Sequence, residues 1–225
     1  MRWAWPFLIF VAVTVVHLVA LGVAAPWNSV TKALLMPALL LAVLLVAFWT
    51  RRGRFVGPRA WWGIGLLGAG IVASFLGDVL LGVSFIAGLA SFAVAHLLYI
   101  AVFNGPARAR LIRWWSVAYI AVAIAVLVVL WPDLGDLRPV VVIYGAVLAI
   151  TAMTATRVNV TAAIGGGLFL ASDALLAFRL FSPGFDAVFP DPWQDVVIML
   201  LYCAGEGLIA LGVLRRLSAG AARVR

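Results

Sequence analysis

Three carboxyl side chains, Asp78, Asp173 and Glu206, fall inside long apolar runs of this sequence. A charged group at the centre of a membrane helix costs about 2.5–3.5 kcal/mol on insertion scales, so such residues are paired, protonated or functional. The bland reading of any one is a neutral carboxyl that hydrogen-bonds two helices together. Three of them in one short chain weigh against it. Two chemistries remain open: acid–base work on a covalent bond, and a relay that passes protons or cations between carboxyls.

Helical periodicity sets further polar groups beside the acids. Gly70, Ser74, Gly77 and Asp78 fall on one helix face, small enough for close helix approach. Phe92, His96, Tyr99 and Phe103 form a stripe at helical spacing, Tyr144 shares a face with Thr151 and Thr154, and Tyr202 shares one with Met199 and Glu206. Lys32 is the only lysine. It opens an apolar run at a depth that matches Asp78, which makes it a candidate partner for Asp78 or Asp173, or for a lipid phosphate. With His17 and His96 as the only histidines, a three-histidine zinc site is excluded, and the single Cys203 excludes an intrachain disulfide and a thiolate cluster. His17 reads as a packed or helix-bridging residue. A carboxylate-dominated metal site stays open, but nothing in the spacing demands one, and no cofactor is expected.

The elements that must position these groups are membrane spans. The 225 residues are 66% hydrophobic and 11% charged, too apolar for a soluble domain to bury. Mean hydropathy is +1.19. A helix needs roughly 20 apolar residues to cross the hydrocarbon core. About eight such stretches can be drawn, at 3–25, 31–50, 61–82, 85–103, 114–131, 139–156, 161–181 and 195–214. The expectation is an all-α polytopic bundle forming one integral membrane domain over residues 1–225. Met1-Arg2 and Val23-Ala24-Ala25 imitate a signal peptide, but the apolar run is longer than a signal core and carries His17, so it reads as a retained span.

Charge supplies the orientation. With the N-terminus inside, thirteen arginines (2, 51, 52, 54, 59, 108, 110, 113, 157, 215, 216, 223 and 225) share one side. Lys32, Arg138 and Arg179 occupy the other, beside Asp133, Asp136, Asp186, Asp191 and Asp195. That asymmetry places both termini in the cytoplasm and requires an even number of spans. It also argues against nucleic acid as the partner of a chain whose pI is near 11.0. Arginine outnumbers lysine fifteen to one, a composition that points to a GC-rich bacterium and its cytoplasmic membrane. Gly77-Asp78-Val79-Leu80-Leu81 echoes Ser172-Asp173-Ala174-Leu175-Leu176, as a four-plus-four parallel repeat would.

The motifs T-K-A-L-L-M-P at 31–37, G-D-V-L-L at 77–81, G-L-x-x-F-x-x-x-H-x-x-Y at 88–99, R-x-N at 157–159, G-x-L-F-x-x-S-D-x-x-L-A at 166–177 and Y-x-x-x-E-x-L-I at 202–209 follow one another along the chain. In that order, across residues 28–212, the chain resembles the lysoplasmalogenase (YhhN-like) family of membrane hydrolases. Ala33 departs from the family's proline, and Glu206 from its glutamine. The resemblance implies hydrolysis of the vinyl ether bond of a lysoplasmalogen to a fatty aldehyde and a glycerophospho-base. Asp78 and Asp173 would be the catalytic acid and carboxylate, in an order the sequence does not fix. Lys32, His96, Tyr99, Tyr144, Asn159, Tyr202 and Glu206 would contact substrate or water. A lysophospholipid and the surrounding membrane lipids are then the expected partners. A transporter using the acids as a proton or cation relay stays open at this point, as does a lipid-binding scaffold. Uptake without product formation would mark the first, and aldehyde release from a lysoplasmalogen would rule out the second.

Overall fold

A computed structural model describes residues 4–49, 55 and 57–219. Among these residues every regular element is helical: α1 (Phe7–Gly22), α2 (Asn28–Trp49), α3 (Pro58–Leu81), α4 (Phe85–Asn104), α5 (Val117–Leu130), α6 (Arg138–Ala155), α7 (Val160–Phe181), the single turn α8 (Phe185–Val188) and α9 (Trp193–Ala219). Local chemistry sets the starts. Proline opens α3 and α6, where its missing N–H is not needed. Ser84 caps α4, accepting from the Ala87 N–H at 3.4 Å, and Asn159 caps α7, accepting from Ala162 at 2.9 Å.

The chain is an all-helical integral membrane protein. Among the described residues six segments are long and apolar enough to cross a bilayer: α2, α3, α4, Gly135–Ala155, α7 and α9. The other two expected spans are shorter. α1 has 16 residues and α5 has 14, the latter preceded by a tight turn at Trp114–Ser116. At the helical rise, 16 residues reach about 24 Å, against roughly 30 Å of hydrocarbon. Arg2, Arg51, Arg52, Arg54, Arg223 and Arg225 of the expected basic side lie outside the described residues.

The long helices alternate in direction, which gathers the connections at two ends. At one end Arg59 at the start of α3 donates to the Gly105 carbonyl after α4, the Ala109 N–H bonds the Arg157 carbonyl, and Arg216 late in α9 donates to the Arg108 carbonyl. At the other, Lys32 meets Asp78, Phe85 packs edge-on against Phe181, and Arg179 pairs with Asp191 and Asp195. These are the arginine-rich and the acidic end.

Packing follows one order twice. α1 lies on α2, α2 on α3 and α3 on α4, and then α5 on α6, α6 on α7 and α7 on α9. Asp78 and Asp173 thus occupy the third helix of each run. The closest pairs, α3 with α4 and α7 with α9, meet through glycine. A Cβ on Gly70 would run into the Tyr99 ring, and one on Gly165 would fall 2.8 Å from the Gly205 carbonyl oxygen. Without hydrophobic driving force between helices in lipid, such close backbone approach is what lets van der Waals contact hold the bundle.

Candidate active site

Asp78 lies one turn from the end of α3, and its two oxygens have different partners. The Lys32 ammonium, in the first turn of α2, stands 3.7 Å from Oδ1, and the Tyr202 hydroxyl from α9 donates to Oδ2 at 2.8 Å. The Asp78 side chain is 8% exposed while that of Lys32 is 37% exposed, so the cation reaches outward from a buried carboxylate. The opposite charge explains why a carboxylate is tolerated at this depth.

Asp173 sits two turns before the end of α7 and accepts from the Tyr144 hydroxyl of α6. No cation approaches it within ion-pair distance among the described residues. Both Asp173 and Tyr144 line an apolar cleft between α4, α5, α6 and α7, walled by residues such as Phe85, Leu89, Leu127 and Leu170. Asp173 and Tyr144 bring the cleft its only carboxyl and its only hydroxyl, and the rest of its lining is apolar.

Glu206 is fully buried at the middle of α9. It accepts from Ser74 at 2.7 Å, and from Tyr99 at 2.8 Å through one oxygen and 3.1 Å through the other. This trio ties α3, α4 and α9 together and takes no part in the lining of the cleft.

Between the three acids lies an aromatic layer. His96, wholly buried, packs edge-on against Phe169 at 4.6 Å, Tyr144 at 5.9 Å and Tyr99 at 6.3 Å, and Phe169 in turn meets Tyr202 at 5.3 Å. Neither ring nitrogen of His96 has a hydrogen-bond partner among the described residues. A buried imidazole so placed is either strained by desolvation or serves something polar that enters the site.

The structure therefore brings Lys32, His96, Tyr99, Tyr144, Tyr202 and Glu206 around Asp78 and Asp173. The two aspartates do not bond each other, and each keeps its own tyrosine. Asn159 stands apart. It caps α7 at the arginine-rich end and donates to the Gly212 carbonyl at 2.8 Å. It lies 14 residues before Asp173 on one helix, about 21 Å away. His17 bridges α1 to α2 through Thr31 at 2.9 Å. Among the described residues no three His, Cys, Asp or Glu side chains stand close enough to hold a metal.

Sequence reasoning missed two participants. Ser74 was visible only as a small residue on the Asp78 face, yet its hydroxyl serves Glu206. Phe169 lies four residues before Asp173 and so on its face, a spacing that flags it once Asp173 is suspected.

Comparison with known proteins gives the chain relatives. A model of the YhhN family matches residues 27–213. The chain is 34% identical over 153 residues to a human protein named lysoplasmalogenase TMEM86B, covering 67% of this chain and 64% of that one. It is 30% identical over 156 residues to proteins named lysoplasmalogenase from Mycobacterium bovis and Mycobacterium tuberculosis, covering 63% of this chain and 58% of each. The chain thus spans less than two thirds of the length of these curated relatives. No solved structure matches it.

Proposed function

The chain belongs to the YhhN family, and we propose that it is a membrane-embedded hydrolase that cleaves the vinyl ether bond of a lysoplasmalogen. The products are a fatty aldehyde and a glycerophospho-base. The relatives named lysoplasmalogenase support the substrate class. The observation that carries the reading is the Asp173–Tyr144 pair at an otherwise apolar cleft, which offers one acid to one end of a long hydrocarbon chain.

A vinyl ether is cleaved by protonation at its β-carbon, the second carbon of the alkenyl chain counted from the ether oxygen. That carbon becomes CH2 and the neighbouring carbon an oxocarbenium. Water adds there to give a hemiacetal, which collapses to aldehyde and the glycerol hydroxyl. With the tail in the cleft, the β-carbon lies beside Asp173, which donates the proton. Asp78, held as a carboxylate by Lys32, stabilises the cationic centre and takes the proton from water. Lys32 meets the phosphate, since its outward position lies on the headgroup side of Asp78. His96 and Tyr202 orient the water, and Tyr99 with Glu206 supports the wall behind His96.

The relay reading finds no support in this arrangement. All three acids lie between the acidic end and the midpoint of the helices, and the arginine-rich half holds no carboxyl to continue a path. By the positive-inside rule the arginine-rich end and both termini face the cytoplasm, in a bacterial cytoplasmic membrane.

The test is aldehyde release by the purified protein across a panel of lysoplasmalogens and their ester-linked counterparts, with Asp78→Asn and Asp173→Asn alongside. Release from the vinyl ether substrates alone, lost in both variants, supports the reading. Wild-type turnover in both variants sinks the mechanism, and uptake into proteoliposomes without product would replace hydrolysis by transport.

A further inference from the structure

The arginine-rich end holds a second cleft that the proposed hydrolysis does not use. Arg110, Arg113 and Trp115 line it from the connection into α5, and Asn159, Val160 and Ile164 from the first turns of α7. Arginines near helix ends are common on this side of a membrane. These two are set apart by facing a concavity into which the positive end of a 22-residue helix also opens.

The charge there has no internal counterpart. All eight acids of the chain lie elsewhere: Asp78, Asp173 and Glu206 in the candidate active site, and Asp133, Asp136, Asp186, Asp191 and Asp195 at the acidic end. Neither guanidinium has a carboxylate partner among the described residues. The neighbouring polar groups are already engaged. Asn159 serves Gly212 and Ala162, the Tyr119 hydroxyl donates to the Ala163 carbonyl at 2.9 Å, and Thr156 to the Met153 carbonyl at 2.6 Å. The cleft therefore presents two arginines, one of them 5.9 Å from the Trp115 ring centre, and a helix N-terminus, all suited to an anion.

Its far wall is apolar. Val160 and Ile164 are 63% and 51% exposed on one face of α7, placed to lie along a hydrocarbon chain. We infer that this cleft binds the phosphate headgroup of an anionic membrane phospholipid, whose acyl chains run along Val160 and Ile164. Basic pockets between membrane helices are the usual seats of such headgroups. The ligand is a lipid separate from any substrate. The cleft lies about 21 Å along α7 from Asp173, whereas a glycerophospholipid's phosphate is only a few bonds from its ether oxygen.

The experiment is native mass spectrometry of the full-length protein in detergent, titrated with dioleoyl phosphatidylglycerol, dioleoyl phosphatidylcholine and inorganic phosphate. Phosphatidylglycerol is expected to be retained in preference to phosphatidylcholine. At roughly fivefold per arginine, Arg110→Gln/Arg113→Gln should weaken its retention by about 25-fold. Val160→Trp, which narrows the cleft and leaves every charge in place, should weaken it as well, and so tests the site even if the double variant fails to fold. Arg108→Gln removes an exposed charge outside the lining and should leave retention unchanged. Equal retention of the two lipids, or equal loss in Arg108→Gln, overturns the inference. Displacement of the lipid by equimolar inorganic phosphate would overturn the lipid assignment in favour of free phosphate.

Discussion

Lys32 and Asp78 face each other across 3.7 Å, joining the first turn of α2 to the last turn of α3. The pair puts the chain's single lysine at the mouth of the site, between the headgroup level and the buried carboxylate. Under the proposed reaction it has two tasks, holding Asp78 charged and meeting phosphate, and substitution can separate them. Lys32→Met should lower kcat/KM for a lysoplasmalogen by about tenfold or more, largely through KM, because a charge-assisted contact to phosphate is lost. Lys32→Arg should restore most of it. On a 1-alkenylglycerol, which has no phosphate, the loss should be much smaller. An equal loss on both substrates would assign Lys32 to Asp78 alone.

Under the proposed reaction Asp173 stands beside the β-carbon of the alkenyl chain, and the Tyr144 hydroxyl donates to its carboxyl. Asp173→Asn should reduce aldehyde release by about 10²–10⁴-fold, the range of a lost general acid. Tyr144→Phe keeps the ring packed against His96 and removes only the hydroxyl. It should cost about tenfold or less in kcat, in line with one positioning hydrogen bond. Stopped-time aldehyde assays on both variants check this, with thermal unfolding as the control for folding. A larger effect of Tyr144→Phe than of Asp173→Asn would move the proton donor from the carboxyl to the phenol.

Much of this architecture is legible in the sequence, for a physical reason. Lipid makes apolar length and stray charge expensive to misplace, so span positions, the sidedness of arginine and the buried acids are visible as departures from a greasy background. The match in depth between Lys32 and Asp78 follows from counting residues along adjacent helices. Which tyrosine serves which acid does not. Tyr202 and Glu206 share a face of α9, yet one bonds Asp78 and the other bonds Tyr99, because helix rotation is set by glycine contacts such as Gly70 with Tyr99. Asn159 shows the opposite case. Its motif pointed to the site, while its side chain closes a helix end far from it. The apolar cleft was invisible, since its lining residues read as ordinary span interior.

The cleft makes a prediction about chain length. Ala174 lies on its wall one residue beyond Asp173. Ala174→Phe adds a ring to that wall, and overfilling a packed apolar site costs about 1–3 kcal/mol. The variant should lose turnover on long-chain lysoplasmalogens by about tenfold or more, while short-chain analogues are hydrolysed at near wild-type rates. A chain-length series measured by aldehyde release decides it. Loss of short-chain turnover as well would mean that the ring obstructs the reacting end beside Asp173, and unchanged long-chain turnover would mean that the tail lies elsewhere.

Glu206 is the last of the three acids, and its surroundings argue that it holds the bundle rather than reacts. Ser74 and Tyr99 both donate to it in a fully buried setting. Glu206→Gln keeps an acceptor oxygen and should preserve both the fold and aldehyde release to within about threefold. Glu206→Ala leaves two buried hydroxyls without their acceptor, at about 1–3 kcal/mol each, and should lower the thermal unfolding midpoint in detergent well below that of Glu206→Gln. The ordering of the two midpoints tests the structural role. A Glu206→Gln protein with an unchanged midpoint and about a hundredfold slower turnover would instead place this carboxyl in the chemistry.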